Sequence, residues 1–189
     1  MNSSRHNRHR PLTSTLGGLI FSTSLIAFAQ NGNSDGEWPS YAADAGSTKY
    51  TSLSQIDGSN FAGLEIAWRW QSIDGELDFE ALLGPGAEVG FGRLQATPLM
   101  IDGVLYLLTA LNQVVALDAV SGEELWRYDP EVYMSGVSNS PLGFHHRGVA
   151  WWSDGSESRV LMTTNDGFII SLNAQTASWT RISPAGASI

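Results

Sequence analysis

The sequence predicts an all-β chain of short antiparallel hairpins. Three observations predict it. Apolar residues come in short runs rich in Val, Ile, Leu and aromatics, several of them alternating. Tight-turn sequences separate the runs, Asp102-Gly103 and Asn165-Asp166-Gly167 among them. Beyond residue 30 no long stretch places apolar residues at helical spacing.

The elements follow in order. Residues 30–37, "QNGNSDGE", are polar and rich in Gly and Asn, as expected of a flexible terminus. A short helical turn is expected near Gly58–Leu64, with Asp57 or Ser59 able to cap it. "LEIAWRW" places Leu64, Ile66, Trp68 and Trp70 on one face, a strand pattern. Residues 71–94 read as loop. "TPLMIDGVLYLLTA" is then a hairpin about Asp102-Gly103, "QVVALDA" a third strand and "EELWRYD" a fourth. After an irregular segment, residues 130–146, come "GVAWWS", the turn "DGSES", "RVLMTT", the turn "NDG" and "FIISLNA". The ending "TRISPAGASI" is expected to stop without a strand. Trp151 and Trp152 should divide between core and surface, because neighbours on a strand face opposite ways.

The chain repeats itself. "GVLYLLTALNQVVALDAVSGEELW" and "SRVLMTTNDGFIISLNAQTASW" each hold a strand, a tight turn, a strand ending in Leu-Asp-Ala or Leu-Asn-Ala, a small-residue turn and a Trp. Asp118 and Asn173 stand 55 positions apart. A four-stranded propeller blade takes about 40–45 residues, and the segment 130–146 can absorb the excess. Asp or Asn before the turn can accept from backbone amides two residues on. Gly122 allows positive φ. A Trp on the outermost strand can lie flat against the neighbouring blade. A hairpin-rich sandwich with ordinary core tryptophans fits the same signals. The second repeat lacks the Gly and is two residues shorter.

Composition narrows the function. "MNSSRHNRHR" carries Arg5, Arg8 and Arg10, an apolar run follows from Leu16 to Phe28, and Ala27 and Ala29 have the spacing of a signal-peptidase site. Residues 1–29 therefore read as a signal peptide cleaved before Gln30, leading to a periplasmic or secreted protein. The run is too short to cross a bilayer, so no membrane anchor is expected after cleavage. Cleavage would remove three of the ten basic residues and none of the nineteen acids, making an already acidic chain more so. Nucleic acid and anionic lipid are disfavoured as partners. With no cysteine, neither disulfides nor thiolate metal sites can form. Asp44, Asp57, Asp78 and Glu80 suggest nothing beyond solvated loops.

Taken together, these residues resemble the N-terminal part of the PQQ-dependent (pyrroloquinoline quinone) quinoprotein alcohol and glucose dehydrogenases. "WPSYAADAGSTKYTSLSQIDGSNFAGLEIAWRW" is similar to the family's opening segment. "QATPLMIDGVLYLLTALNQVVALDAVSGEELWRYDP" resembles its first complete blade, and "RGVAWW" the step that follows. The resemblance implies an eight-bladed β-propeller of four-stranded antiparallel sheets. The Trp at the place of Trp126 would pack between blades, with the quinone over the central channel and Ca²⁺ beside it. Eight blades need roughly 340 residues. Residues 38–189 would then be an incomplete, partial β-propeller of about two to three blades, an N-terminal fragment. The implied activity is an oxidoreductase oxidising an alcohol or sugar, with a separate electron acceptor. The implied catalytic Asp and Ca²⁺-binding Glu and Asn belong to later blades, so no catalytic or metal residue is expected here. A non-enzymatic propeller, such as an outer-membrane assembly scaffold, is the alternative.

Three side chains match family positions at the quinone. Gln95 precedes "ATPL", where a carboxamide could donate to and accept from ring substituents. Arg147 is the Arg of "RGVAWW", and its guanidinium suits carboxylates and quinone oxygens. Thr163, in "LMTTNDG", would offer a hydroxyl to a carboxylate, although a one-residue slip would move the role to Thr164. His145 and His146 are expected to be a loop pair without special role, since adjacent extended side chains point apart.

Overall fold

The computed structural model describes residues 36–87, 89, 94–135 and 144–182. The expected signal peptide, residues 30–35 and the end of the chain from 183 lie outside them. No helix among the described residues is long and apolar enough to cross a membrane.

Two four-stranded antiparallel sheets form in sequence order. The first runs β1 (Leu99–Ile101), β2 (Val104–Leu108), β3 (Val114–Asp118), β4 (Glu124–Tyr128). The second runs β5 (Ala150–Ser153), β6 (Ser158–Thr163), β7 (Ile169–Asn173), β8 (Trp179–Ile182). This up-and-down order within each sheet, twice over, is the partial propeller the repeat predicted. Asp102 and Gly103, at φ 51 and 78, make the left-handed turn that joins β1 to β2.

The turn chemistry repeats at the same spacing of 55. Asp118 accepts from the amides of Val120 (3.0 Å) and Ser121 (2.7 Å). Asn173 accepts from those of Gln175 and Thr176, both at 3.0 Å. Thr109 and Thr164 open matching tight turns: each Oγ1 accepts from the amide four residues on, at 3.1 Å.

The main core lies between the sheets. Leu99, Tyr106, Leu108, Val114 and Ala116 of the first pack on Val160, Met162, Ile170 and Leu172 of the second. Tyr106 sits at the centre, its ring 5.9 Å from Trp126 and 5.5 Å from Trp151. Trp152 faces outward, as alternation requires. On the far face of the first sheet, Leu107, Val115 and Leu117 are covered by Trp68 and Trp70.

Those tryptophans belong to "LEIAWRW", which runs extended without joining a sheet among the described residues. Its side chains do alternate: Trp68 and Trp70 pack inward while Leu64 and Ile66, on the same parity, stay exposed. Among the described residues its backbone has no strand to ladder with, so the pattern yields a covering strap there rather than a strand. The described residues between 71 and 87 contain a 3-10 turn, Ile73–Glu76, and a short helix, α1 (Phe79–Leu83), capped by Asp78.

Two expectations fail at the end of the chain. β8 exists, because "WTRI" completes a ladder with β7 from Leu172↔Trp179 to Ile169↔Ile182. The two repeat tryptophans are not equivalent. In the first sheet Leu117 pairs Glu124 and Ala116 pairs Trp126, with a register shift between. In the second, Leu172 pairs Trp179 and Ser171 pairs Thr180 without a shift. Thr180 therefore takes the place of Trp126, and Trp179 falls on the opposite face. One extra residue in a bulge reverses every side chain beyond it.

The tryptophan that does repeat the docking is Trp68. Its indole N–H donates to the Ala119 carbonyl at 3.1 Å, just as Trp126 donates to Ala174, 55 positions further, at 2.9 Å. Its ring lies over Gly122, whose φ is +75; a Cβ there would sit 2.5 Å from the indole. Gly122→Ala is therefore expected to cost about 3 kcal/mol, from overpacking and left-handed strain together. Ala177 holds the matching position at φ 57. Ala177→Gly should gain about 0.5–1 kcal/mol. Urea unfolding followed by tryptophan fluorescence measures both.

Candidate functional site

Strands β1 and β5 are each preceded by a short irregular lead-in, and those lead-ins carry Gln95 and Arg147, while Thr163 ends β6. The two lead-ins are tied together: the Thr97 amide donates to the Arg147 carbonyl at 3.0 Å. Gly148 makes that approach possible, since a Cβ on it would stand 3.0 Å from the Thr97 carbonyl oxygen, at φ +144. Trp38 bridges the same region by exchanging two backbone hydrogen bonds with Met100, at 2.7 and 3.1 Å.

Two adjoining hollows open here. One, of about 210 Å³, is lined by Tyr41, Thr97, Arg147, Gly148 and Val149. The next, of about 260 Å³, shares Gly148 and Val149 and reaches Thr163 and Ile169. Arg147 and Thr163 thus line two hollows that share Gly148 and Val149. Gln95 lies exposed two residues before Thr97 and lines neither hollow.

Arg147 is exposed, and no carboxylate lies within ion-pair distance of it among the described residues. Arg127 and Arg159, by contrast, pair with Glu124 and Glu157. In a chain with nineteen acids and ten bases, an unpaired arginine in a hollow is suited to an anion from outside. Thr163, at the end of β6, is exposed. Thr164 is buried, and its hydroxyl donates to the Asp166 carboxylate within its own turn.

His146 departs from expectation. It is half-buried rather than a free loop residue, and its Nε2 lies 3.0 Å from Asn165 Oδ1. Burial holds its imidazole below the ordinary histidine value; the Asn165 bond pulls the other way and neighbouring His145 adds to the depression. No motif announced this contact, which exists only because the turn at Asn165 folds back on the segment before β5.

For a metal the described residues offer little. They contain no group of three or more His, Cys, Asp or Glu placed to hold an ion.

The comparisons with known proteins agree with this architecture. The model of the PQQ glucose/ethanol/alcohol dehydrogenase β-propeller domain matches residues 38–181. The chain belongs to that family. It is 35% identical over 176 residues to the quinohemoprotein alcohol dehydrogenase ADH IIB of Pseudomonas putida, a match spanning 88% of this chain and 23% of that protein. It is 32% identical to a 1-butanol dehydrogenase (cytochrome c) of Thauera butanivorans, over 85% of this chain and 20% of the other. Among solved structures it superposes on the quinohemoprotein alcohol dehydrogenase of Comamonas testosteroni with TM-score 0.62 and 27% identity, covering 81% of this chain and 20% of that one. A europium-containing methanol dehydrogenase gives TM-score 0.60 at 26% identity, over 83% and 24%. The chain thus spans only about a fifth of these relatives, and the two sheets correspond to part of their propeller.

Proposed function

We propose that this polypeptide is the opening portion of an exported quinoprotein dehydrogenase and carries one wall of a PQQ site, formed by Arg147, Thr163 and Gln95. The observation that carries the reading is Arg147, without an ion-pair partner among the described residues, in the hollow beside Gly148. PQQ bears carboxylates and an ortho-quinone, and when bound it would supply the two-electron acceptor for alcohol or sugar oxidation. Arg147 would orient it by charge-assisted hydrogen bonds and stabilise negative charge on its oxygens. Thr163 would donate its hydroxyl to a carboxylate, and Gln95 would complete the rim. The Thr97–Arg147 backbone bond sets where the guanidinium stem leaves the chain. Ca²⁺ finds no ligand cluster among the described residues, and no step is assigned to it.

The catalytic base and the ion's ligands belong, by family resemblance, to later blades. These 189 residues by themselves are therefore expected to bind quinone weakly and to give no turnover with an alcohol, Ca²⁺ and a dye acceptor. Quinone binding, followed by quenching of the tryptophan fluorescence, should weaken about tenfold in Arg147→Ala, the loss of one charge-assisted contact. Equal quenching by both proteins would remove Arg147 from the site, and no saturable quenching by either would favour a propeller without quinone.

A further inference from the structure

The opening segment supplies part of the wall of the hollow lined by Arg147. Past Trp38, which is tied to β1 at Met100, the chain turns back on itself. The Ala43 amide donates to the Ser40 carbonyl at 3.1 Å, and the Lys49 amide to the Ala42 carbonyl at 3.0 Å. Just beyond, the Asp44 carboxylate accepts from the Thr48 amide at 3.1 Å and from the Thr48 hydroxyl at 2.6 Å. Ala42 and Ala43 are buried, and Ala43 takes φ 78. A left-handed residue with a Cβ persists only where its surroundings hold it, so the turn has a fixed shape.

Tyr41 stands at the corner of that turn. It is 60% exposed, yet it lines the hollow together with Thr97, Arg147, Gly148 and Val149. Among the described residues its hydroxyl has no hydrogen-bond partner, its ring meets no other ring, and no guanidinium stacks on it. A single exposed ring is ordinary on a protein surface. This one shares its hollow with an arginine that has no carboxylate within ion-pair distance among the described residues. The pair is complementary toward one class of ligand. A guanidinium fork takes a carboxylate edge-on, and a phenol ring takes the face of a flat π-system.

We propose that Tyr41 is a ligand-contacting residue of this site, its ring packed on the face of a planar aromatic carboxylate whose anionic end Arg147 holds. Naming PQQ as that ligand rests on the quinone reading above. The ring makes the contact, not the hydroxyl. An exposed phenol already has water as a partner, so a hydrogen bond to the ligand replaces one bond by another. Ring contact instead removes apolar surface of both partners from water. The opening segment is thereby part of the binding wall and not only a brace on β1.

The test uses the full 189-residue chain with PQQ as the probe, its binding followed by quenching of the tryptophan fluorescence. Tyr41→Ala should weaken binding about three- to tenfold, the worth of one aromatic contact. Tyr41→Phe should bind within about twofold of the wild type, because an exchangeable hydroxyl adds little. Transferred nuclear Overhauser effects should join the Tyr41 ring protons to bound PQQ and vanish in Tyr41→Leu. The urea midpoints of all three variants should match the wild type, since the exposed ring has no protein partner to lose. Full-strength binding by Tyr41→Ala, with Arg147→Ala weakened, overturns the contact and leaves the quinone reading standing. Equal losses in Tyr41→Ala and Tyr41→Phe make the hydroxyl the contact and overturn the role of the ring. A urea midpoint that falls in step with binding makes Tyr41 a structural residue and overturns the proposal too. No saturable quenching of the wild type overturns the quinone reading, and the contact to PQQ falls with it.

Discussion

Replacing Trp126 by alanine should cost about 3–5 kcal/mol of unfolding free energy, the range for emptying a large aromatic site. The indole does two things at once. Its rings pack against Tyr106, 5.9 Å away, in the core that joins the sheets. Its N–H donates to the Ala174 carbonyl of the other sheet at 2.9 Å. Tyr106 leans on the same carbonyl, at 3.4 Å, so removing Trp126 also exposes that oxygen to a less well-aligned partner. Trp126→Phe keeps most of the packing and loses the hydrogen bond, and should cost about 1–2 kcal/mol. Trp179→Ala is the decisive contrast. Trp179 is 51% exposed and meets Tyr128 at 5.8 Å at the margin of its sheet's face toward the first sheet. Its loss should cost under about 1 kcal/mol. Similar costs for the two alanine variants in urea unfolding would mean that the tryptophans are interchangeable repeats and that the register described here is mistaken.

That contrast marks where the sequence is legible and where it is not. Strand existence was readable because each strand carries its own alternation or apolar run, and each turn its own residue: Asp102-Gly103, Asp118 and Asn173 behave as their side chains dictate. The correct pairing of the tryptophans was not readable. It depends on a register shift near Leu117, and a bulge leaves no mark in composition. β8 was missed for a related reason. Trp179–Ile182 is exposed on every residue, so it shows no buried face to read, and only its ladder with β7 makes it a strand. Arg147 and Thr163 line two hollows that share Gly148 and Val149, while Gln95 is exposed and lines neither. The His146–Asn165 contact joins residues 19 apart through a fold-back, and no local pattern encodes it.

Asp74 is the clearest case of a residue hidden from sequence reading. It lies in a segment that reads as loop, yet it is 4% exposed. From the 3-10 turn Ile73–Glu76 its carboxylate reaches into the β2–β3 turn of the first sheet. There it accepts from the Thr109 hydroxyl at 2.9 Å, the Leu111 amide at 3.2 Å and the Gln113 side-chain amide at 3.3 Å. The matching turn of the second sheet is served by its own Asp166, on Thr164. The first turn has Leu111 where the second has Asp166, and so borrows an acid from the strap that covers its outer face. Cutting the side chain back removes the acceptor from three donors in a place water reaches poorly. Leu111 and Gln113 are essentially buried, and among the described residues Gln113 Oε1 and Asn112 Nδ2 already lack partners there. Asp74→Ala should therefore cost about 3–5 kcal/mol, as expected for breaking a buried charged network. Asp74→Asn, which keeps one acceptor but turns an N–H₂ toward donors, should fall between. The loss should also loosen the strap, so amide exchange around Trp68 and Trp70 should quicken in Asp74→Ala while the β6–β7 ladder keeps its protection. Uniform loss of protection in both sheets would instead make Asp74 a contributor to global stability alone, with no local hold on the strap.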